Sequence, residues 1–389
     1  MRVTILSLSA IPRDPRVSRQ ISTLREAGHS VSAIGFGEDD MGGVLRTFRQ
    51  PQPGWYNRLD ILLRQAPARI SEKLAFPGFW ASGLHRQMYR AVLETCPEII
   101  HANDWPALAI ASRAAQSIGC EFIYDSHEFA IGENTHRLSW RILFPPFIRA
   151  IESGLIHQSR HVITVSDRLA KLISDTYELG TIPVVIRNTP KYRSMPFCPT
   201  GPVISVLYQG VYASDRCLEE LIASVAHWRP DRRLLMRGIG LPDYVDSLQR
   251  LAVALGLCDR VVFLPPVKPD ELIDAASEAD IGIVIWPTDK PQSNFALPNK
   301  FFEYMMSGLA LCVGPAAEMS ELTTSYKVGL VTAGHSPEMI AATINTFEAA
   351  EIDAFKQRSL ATARQCCWEN EGRRLLGLYA PAHANSTFA

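Results

Sequence analysis

The chain has 389 residues, of which 47% are hydrophobic and 20% are charged, and its formal net charge at neutral pH is -1. A chain of this length is too long for one compact core, so we expect two domains. The balance of charge excludes a protein that binds nucleic acid through an overall positive field, so any anion site must be local.

The N-terminal stretch MRVTILSLSAI is predicted to be a first strand and not a signal peptide, because it has one arginine, no long apolar segment and an immediate PRDPR. The sequence contains no run of about 18 apolar residues, so we expect no membrane-spanning helix. The eight cysteines show no spacing typical of a metal site. A reducing cytoplasm is the expected compartment.

Strand-like and helix-like segments then alternate along the first half. The strand-like segments are VTILSLSA, SVSAIGFG, EIIHAND, EFIYDSHE, HVITVS and VVIRN, and helical patterns such as PRVSRQISTLREAG separate most of them. This alternation predicts βαβ units around a parallel sheet.

The proline-rich segment TPKYRSMPFCPTGP interrupts the alternation, which restarts with VISVLYQG, RRLLMRGIG, RVVFLPPV and DIGIVIWP. We therefore predict two doubly wound α/β domains with a cleft between them, where the carboxyl ends of parallel strands bind ligands. The predicted bounds are 1–190 for the first domain, 191–202 for a linker, 203–365 for the second domain, and 366–389 for a C-terminal helix and tail that crosses back to the first domain.

Residues 54–80 mix aromatic and basic side chains, and residues 138–149 repeat the mixture. Basic amphipathic segments with aromatic edges can lie on an anionic bilayer. Ordinary surface helices share this pattern, so a helix that covers the sheet while its arginines face water is the alternative.

The stretch NFALPNKFFEYMMSGLALCV, residues 294–313, predicts a short helix that begins after Pro298 and ends at Gly308. Lys300 and Glu303 then lie in its first turns. Because the helix follows the strand DIGIVIWP, its free N–H groups, its dipole and Lys300 predict an anion site at a strand's carboxyl end. A solvated Lys/Glu pair on a helix surface is the alternative.

Several segments occur in the order typical of glycosyltransferase family 4, and the chain resembles that family over most of its length. The segments are DPRVSRQISTLREAGHSVSAIG, IIHANDWPALAIA, YDSHEF, VITVSDRLAKLI, VIRNTP, LYQGVYASDRCLEELIASV, RGIG, ELIDAASEADIGIVIWPT and LPNKFFEYMMSGLALCV. The resemblance implies the GT-B fold of two facing Rossmann-like domains. It also implies transfer of a sugar from a nucleotide-diphosphate donor to an acceptor hydroxyl with retention of anomeric configuration, in cell-envelope polysaccharide or glycolipid assembly.

The resemblance also implies the donor site. Arg216 follows Gly210 at the spacing at which the family keeps a basic residue on the diphosphate, and arginine can bind phosphate through two parallel hydrogen bonds; a solvent-facing arginine at a helix start is the alternative. Val211 stands where a second basic ligand is frequent, so Arg216 and Lys300 would share the charge. The expected donor-binding residues are Gly210, Arg216, Gly238, Val267, Asn294, Leu297, Pro298, Asn299, Lys300 and Glu303.

One departure from the family concerns the sugar. Many members have two glutamates eight positions apart, but Phe295 stands eight residues before Glu303. Asn294 or Asn299 could hydrogen-bond the sugar instead. No Asp-x-Asp run suits a divalent ion, so we predict that the protein alone neutralises the diphosphate, without a metal or cofactor.

The first domain is expected to supply the acceptor side. His127 in YDSHEF matches a family residue near the reacting sugar, where a neutral imidazole could orient a hydroxyl and share a proton near neutral pH. A satisfied structural histidine is the alternative. Asp104 and Glu128 are further candidates. Asp14 and Arg16 lie in the loop where the family contacts donor or acceptor, or they form a local turn pair.

Three functions compete. A retaining, metal-independent glycosyltransferase is preferred, because a GT-B-fold epimerase would need carboxylates and paired histidines that the sequence does not show. A catalytically silent nucleotide-sugar binding protein stays open, since the first glutamate and the second basic residue are missing. The predicted catalytic residues are His127, Arg216 and Lys300. The predicted partners are a nucleotide-sugar donor, a carbohydrate, lipid-linked or small-molecule acceptor, and an anionic membrane at the inner face through residues 54–80, but not nucleic acid.

Overall fold

The computed structural model describes residues 1–37, 41–51, 55–132, 138–288 and 294–380, with backbone alone for 55–58, 138 and 139. The chain divides into two compact units. The first comprises Met1–Asn188 and the C-terminal segment that begins at Glu371, and the second comprises Thr189–Asn370.

The first unit is built on a parallel sheet whose strands lie in the order β3-β2-β1-β4-β5-β6-β7. The strands are β1 (Arg2–Ala10), β2 (Ser30–Phe36), β3 (Leu45–Phe48), β4 (Ile99–Asn103), β5 (Glu121–Asp125), β6 (His161–Thr164) and β7 (Val184–Val185). The helices of residues 1–188 are α1 (Pro15–Glu26), α2 (Trp55–Gln65), α3 (Ala75–Trp80), α4 (Gly83–Thr95), α5 (Asp104–Ile118), α6 (Leu138–Leu155) and α7 (Asp167–Tyr177). Short 3-10 helices span Ile11–Arg13, Ala66–Arg69, Glu72–Leu74, Ala130–Gly132 and Ile156–Gln158.

The second unit has a parallel sheet in the order β10-β9-β8-β11-β12-β13. The strands are β8 (Ile204–Gln209), β9 (Arg232–Arg237), β10 (Val261–Leu264), β11 (Ile281–Val284), β12 (Ala310–Val313) and β13 (Gly329–Val331). The helices are α8 (Leu218–Ser224), α9 (Pro242–Ala254), α10 (Leu272–Ala276), α11 (Asn299–Met306), α12 (Ala317–Tyr326), α13 (Pro337–Thr346), α14 (Ala349–Ala363) and α15 (Trp368–Gly377), which runs on into the C-terminal segment, and a 3-10 helix spans Val225–His227.

The sequence of β8 shows why these sheets are covered on both faces. Val206 and Tyr208 join one buried apolar cluster, whereas Leu207 between them joins another. Successive side chains of a strand point to opposite faces, so a strand that is apolar throughout needs helices on both sides. This arrangement confirms the predicted α/β class with doubly wound parallel sheets.

Each sheet has a point where the strand order reverses. In the first unit β1 pairs with both β2 and β4, and in the second β8 pairs with both β9 and β11. Loops that follow two such strands diverge and leave room for a ligand at the carboxyl edge of the sheet. The predicted site residues that follow these strands are Asp14 and Asp104 in the first unit, and Gly210 and Arg216 in the second.

The predicted linker at 191–202 is part of the second unit. Its backbone is held by side chains of that unit: the N–H of Tyr192 donates to Glu369 at 2.9 Å, and the N–H of Thr200 donates to Asp353 at 2.8 Å. The C-terminal segment joins the first unit from Glu371 onward, where the sequence predicted a tail from 366. Glu371 accepts the backbone N–H of Arg187 at 3.0 Å.

Three further features concern the described part of the chain. None of its helices is long and apolar enough to cross a bilayer. Within the same residues, no group of three or more His, Cys, Asp and Glu side chains is placed to hold a metal ion. The eight cysteines are free thiols, and four of them are buried.

Candidate functional site: a basic edge and a histidine cluster

Helix α11 begins at Asn299 after an extended Pro298, with φ -73° and ψ 151°. Its apolar side chains, among them Phe301, Phe302 and Met305, are buried in the core. This packing fixes the start of the helix at the carboxyl edge of the sheet. The predicted helix is confirmed, and Lys300 lies in its first turn.

The ammonium group of Lys300 lies over an aromatic ring at the end of β8. Its Nζ is 4.1 Å from the centroid of the Tyr208 ring. A Cβ at Gly210 would lie 2.9 Å from the same Nζ, and Gly210 has a φ of +149°. A side chain at position 210 would therefore crowd the lysine as well as strain the backbone.

Electrostatics leave this lysine poorly neutralised. Burial, and then the charge of Arg216, lower the pKa of Lys300 to about 7, while Glu303 partly counteracts them. Because the pKa falls despite the nearby charge of Glu303, a further anion at this site would stabilise the charged form of the lysine. A phosphate group would supply such an anion.

Arg216 lies beside Trp286, which follows β11. The guanidinium carbon is 5.1 Å from the Trp286 ring centroid, a cation–π contact, and Nη1 is 3.5 Å from Asp215. Arg216 precedes α8, which begins at Leu218, so it sits in the loop and not in the helix. Its side chain is 35% exposed and therefore accessible to a ligand.

Gly238 follows β9 and touches the loop after β8. A Cβ at this position would lie 1.8 Å from the carbonyl oxygen of Gly210, and the N–H of Gly210 donates to the carbonyl of Arg237 at 2.9 Å. The glycine was predicted to let the backbone approach a nucleotide. In the structure its missing side chain lets the two strand-end loops approach each other.

The other predicted donor residues differ in exposure. Leu297 is buried in the same apolar cluster as Trp286, so its side chain packs in the core. The half-buried residues are Val267 in the loop after β10, and Asn294, Pro298, Asn299 and Glu303 around the start of α11. The structure thus brings Lys300 and Arg216 together at the sheet edge with Gly210, Tyr208 and Trp286.

In the first unit, His127 follows β5 and lies between two carboxylates. Its Nδ1 is 3.3 Å from Oδ2 of Asp104, and its Nε2 is 3.5 Å from Oδ2 of Asp125 and 3.1 Å from Oδ1 of Asn103. Burial lowers the pKa of His127, but the charges of Asp104 and Asp125 outweigh burial and raise it to about 10. The sequence predicts a neutral imidazole, whereas this raised pKa favours an imidazolium at neutral pH, a form that donates hydrogen bonds and does not accept a proton.

Asp104 has an unusual backbone conformation. It is the first residue of α5 and has a φ of +64°, a left-handed value that costs a non-glycine residue energy. Its Oδ1 accepts the backbone N–H of His127 at 3.3 Å, and its side chain is 43% exposed. Asp104 therefore combines an unusual backbone conformation with an accessible carboxylate that His127 holds.

Asp14 and Arg16 form a local turn pair through the Arg16 backbone N–H, while the Arg16 side chain pairs elsewhere. Arg16 is buried and makes a bidentate ion pair with Asp125, with N···O distances of 2.9 and 2.8 Å. Asp14 caps α1, where its Oδ1 accepts the N–H groups of Arg16 and Val17. Glu128 is exposed beside His127.

The residues that sequence reasoning missed are the partners of the predicted ones: Asp125, Asn103, Tyr208 and Trp286. Asp125 and Asn103 end their strands, Tyr208 lies one residue before the end of β8, and Trp286 lies two residues after the end of β11. A polar or aromatic residue at the carboxyl end of a predicted parallel strand was the available signal.

Comparison with known proteins agrees with this architecture. Residues 14–188 match the sequence model of the family described as Glycosyl transferase 4-like domain. A D-inositol 3-phosphate glycosyltransferase of Acidothermus cellulolyticus is 23% identical over 316 residues, which cover 74% of this chain and 68% of the relative. The corresponding protein of Mycolicibacterium gilvum is 22% identical over 308 residues, covering 74% and 67%.

Solved structures show the same fold. Anabaena Alr3699/HepE in complex with UDP and glucose superposes with a TM-score of 0.71 at 16% identity, covering 97% of this chain and 99% of that one. The sucrose-phosphate synthase of Thermosynechococcus elongatus has a TM-score of 0.73 at 15% identity, covering 97% and 98%. The chain therefore has the GT-B fold of these solved structures, and its residues 14–188 are similar to the Glycosyl transferase 4-like domain.

Proposed function

We propose that the protein transfers a sugar from a nucleotide-diphosphate donor to an acceptor hydroxyl with retention of anomeric configuration. The observation that carries this proposal is the pair of cations, Lys300 and Arg216, at the carboxyl edge of the second unit's sheet. Both lie beside aromatic rings, and the pKa of Lys300 is lowered by its surroundings. Similar structures were solved with UDP-glucose, as for HepE, and with UDP-2-fluoro glucose, as for an Escherichia coli trehalose-6-phosphate protein.

In the proposed reaction, the bond between the sugar's anomeric carbon and the diphosphate oxygen breaks, and a bond from that carbon to the acceptor oxygen forms on the same face. The acceptor's proton goes to the departing diphosphate, so atoms and charges balance. Lys300 and Arg216 stabilise the negative charge that grows on the leaving phosphate, which is the electrostatic role expected to contribute most.

The start of α11 would hold the rest of the donor. We propose that Glu303 accepts hydrogen bonds from ribose hydroxyls, and that Asn294 and Asn299 bind the sugar where Phe295 replaces a glutamate. Val267 would contact the nucleoside. The diphosphate would be neutralised by Lys300 and Arg216 without a metal ion.

On the acceptor side, we propose a division of roles between His127 and Asp104. His127 is a fixed cation that holds the carboxylate of Asp104 through a ring N–H and a backbone N–H. The exposed carboxylate can then accept a hydrogen bond from the acceptor hydroxyl and orient it. Glu128, which is exposed next to His127, is a further candidate for this surface.

We also propose that the protein works in cell-envelope polysaccharide or glycolipid assembly, peripherally at the inner face of the membrane. Its support is the exposed apolar surface on α2 and the following turns, where Leu63 is 67% and Ile70 is 87% exposed. Lys73 and Arg69 lie in the same segment. Exposed basic and apolar side chains within one segment favour an anionic bilayer.

The aromatic residues of this segment contribute less to that surface than its sequence suggested. Phe79 is buried and stacks on His85 with ring centroids 4.0 Å apart, and Trp80 lies under the guanidinium of Arg113. Gly54 lies outside the described residues, as do the side chains of residues 55–58. The proposed membrane contact therefore rests on leucine, isoleucine and basic side chains.

The decisive experiment screens nucleotide sugars for thermal stabilisation and then for turnover. A donor present at 100 times its dissociation constant should add about 2.7 kcal/mol to the free energy of unfolding. Lys300→Ala and Arg216→Ala should lose this stabilisation, whereas Arg229→Ala, which removes an exposed cation paired with Glu348, should keep it. Binding without turnover over a panel of acceptors would favour the silent binding protein, and no binding of any nucleotide sugar would overturn the proposal.

A further inference from the structure

The carboxylate of Asp125, at the end of β5, accepts several hydrogen bonds in the core of the first unit. Arg16 donates to both of its oxygens, and Nε2 of Gln20 donates to Oδ2 at 2.6 Å. Asp125 is completely buried. Burial raises its pKa, but Arg16 and then His127 outweigh burial and hold the pKa well below its usual range, so Asp125 is a carboxylate.

A second histidine, the buried His101 on β4, connects this carboxylate to the C-terminal segment. Its Nε2 is 3.5 Å from Oδ2 of Asp125, and its Nδ1 is 2.6 Å from the hydroxyl of Tyr379. The rings of His101 and Tyr379 are nearly parallel, with an interplanar angle of 9°. Both side chains are buried.

The direction of these hydrogen bonds follows from the chemistry of the groups. Burial lowers the pKa of His101, more than Asp125 raises it, and burial raises the pKa of Tyr379, so both are neutral. A carboxylate only accepts, so Nε2 of His101 carries the hydrogen that faces Asp125. Nδ1 must then accept, and the Tyr379 hydroxyl donates to it.

We infer that Asp125 is a positioning residue for His127, and that Tyr379 of the C-terminal segment keeps Asp125 in place through His101. The inference rests on the proposed function, in which His127 holds the acceptor-binding carboxylate of Asp104. The imidazolium ring lies between Asp125 on its buried side and Asp104 on its exposed side, and Asn103 accepts its Nε2–H.

The balance of charge explains why so many groups are needed. His127 faces the charges of Asp104 and Asp125, and the Asp125 carboxylate is itself held by Arg16 at 2.8 Å and lies 3.5 Å from His101. A small displacement of the Asp125 carboxylate would therefore shift the electrostatic balance at His127. His101 is neutral and donates its Nε2–H to the Asp125 carboxylate. It therefore helps to fix the position of Asp125 without adding positive charge.

The test uses the free protein and no substrate. The histidine rings are isotopically labelled, the His127 signal is identified from its loss in His127→Gln, and the ring is titrated by NMR. Asp125→Asn should lower the titration midpoint of His127 by at least about one pH unit. Tyr379→Phe, which removes only the hydroxyl, should shift the His101 signals and lower the His127 midpoint by a smaller amount.

Tyr177→Phe is the matched control. It removes the hydroxyl of another buried tyrosine, which donates to the Glu152 carboxylate at 2.5 Å in the same unit. This variant should leave the His127 titration unchanged. An unchanged midpoint in folded Asp125→Asn would overturn the inference. If Asp125→Asn does not fold, Tyr379→Phe decides: a His127 titration identical to that of Tyr177→Phe would overturn it. Because the titration needs no donor, this outcome is distinct from failure of the proposed transferase function.

Discussion

Gly238 and Gly210 meet where two neighbouring strands of the second unit end, and a Cβ at Gly238 would lie 1.8 Å from the Gly210 carbonyl oxygen. Gly210 in turn leaves the space beside the Lys300 ammonium group. The position of the proposed phosphate-binding lysine therefore depends on two residues that have no side chain. This contact gives the first prediction.

Gly238→Ala should destabilise the second unit and weaken donor binding, because the backbone of one strand end must move away from the other. We expect a loss of roughly 2 kcal/mol or more in the free energy of unfolding, measured by denaturant titration. Gly201→Ala is the control, since a Cβ at Gly201 would meet nothing within 4 Å. Equal stability of the two variants would contradict this account of the loops.

Removing either proposed phosphate ligand should slow sugar transfer. Lys300→Ala or Arg216→Ala should each cost roughly 2 to 4 kcal/mol of transition-state stabilisation, as loss of one preorganised electrostatic group does. The measurement is kcat/KM for the donor found in the screen, with Arg229→Ala as a control for surface charge. Near-normal turnover in both variants would rule out their assigned role.

Donor binding should depend on pH through Lys300. Its pKa is lowered to about 7 in the free protein, and a bound diphosphate favours the charged amine and raises that pKa. Above pH 7 the lysine must therefore take up a proton on binding, and affinity should fall as pH rises, by at most about tenfold per pH unit. Calorimetry in buffers of different ionisation enthalpy measures the proton uptake.

Lys300→Arg is the control for this pH dependence, because arginine keeps its charge throughout the range. Donor binding by Lys300→Arg should lack the proton uptake and the pH dependence that arise from titration of Lys300. The same proton uptake in both proteins would show that another group, such as the nucleotide itself, is responsible.

Chelation of divalent ions should leave most of the activity, since we propose that Lys300 and Arg216 neutralise the diphosphate. The measurement compares turnover in excess EDTA with turnover after Mg²⁺ or Mn²⁺ is restored. A strict metal requirement in the chemical step would refute metal independence without affecting the assignment of the donor site.

Membrane binding should depend on the exposed surface of residues 59–74. Wild-type protein should sediment with anionic vesicles at low salt and less at high salt, because lysine and arginine near such a surface each contribute on the order of 1 kcal/mol. Replacing Leu63 and Ile70 by Ser, or Arg69 and Lys73 by Gln, should reduce sedimentation.

Leu241→Ser is the control for this surface, because Leu241 is 77% exposed in the second unit. It should sediment like the wild type. Wild-type protein that stays in the supernatant at low salt would exclude the membrane contact and leave a soluble acceptor as the proposal.

The sequence predicts the structural features that depend on a local pattern of residues. The start of α11, and with it the location of Lys300, follows from an apolar period, a proline and a glycine within about one short helix. Arg16 could not be placed in this way, because its partner Asp125 is 109 residues away in the sequence. Distant partners of this kind decide whether an arginine in the first turn of a helix, such as Arg16 in α1, faces a ligand or enters the core.

The protonation state of His127 could not be predicted from the sequence for a related reason. Burial of an imidazole lowers its pKa, and only the placement of Asp104 and Asp125 on either side of the ring reverses that effect. Asp125 is two residues away in the chain, but a strand end and the following turn determine whether it faces the ring. Tyr379 lies still farther away, at the other end of the chain.

The position of Tyr379 has a consequence for synthesis of the protein. The chain leaves the ribosome from its N-terminus, and domains generally fold as they emerge. The second unit, Thr189–Asn370, is complete before Tyr379 is translated, although Tyr379 belongs to the first unit. The buried hydroxyl that supports His101 therefore arrives last. The first unit, although most of it is synthesised first, can therefore complete its polar core only after the second unit has been synthesised.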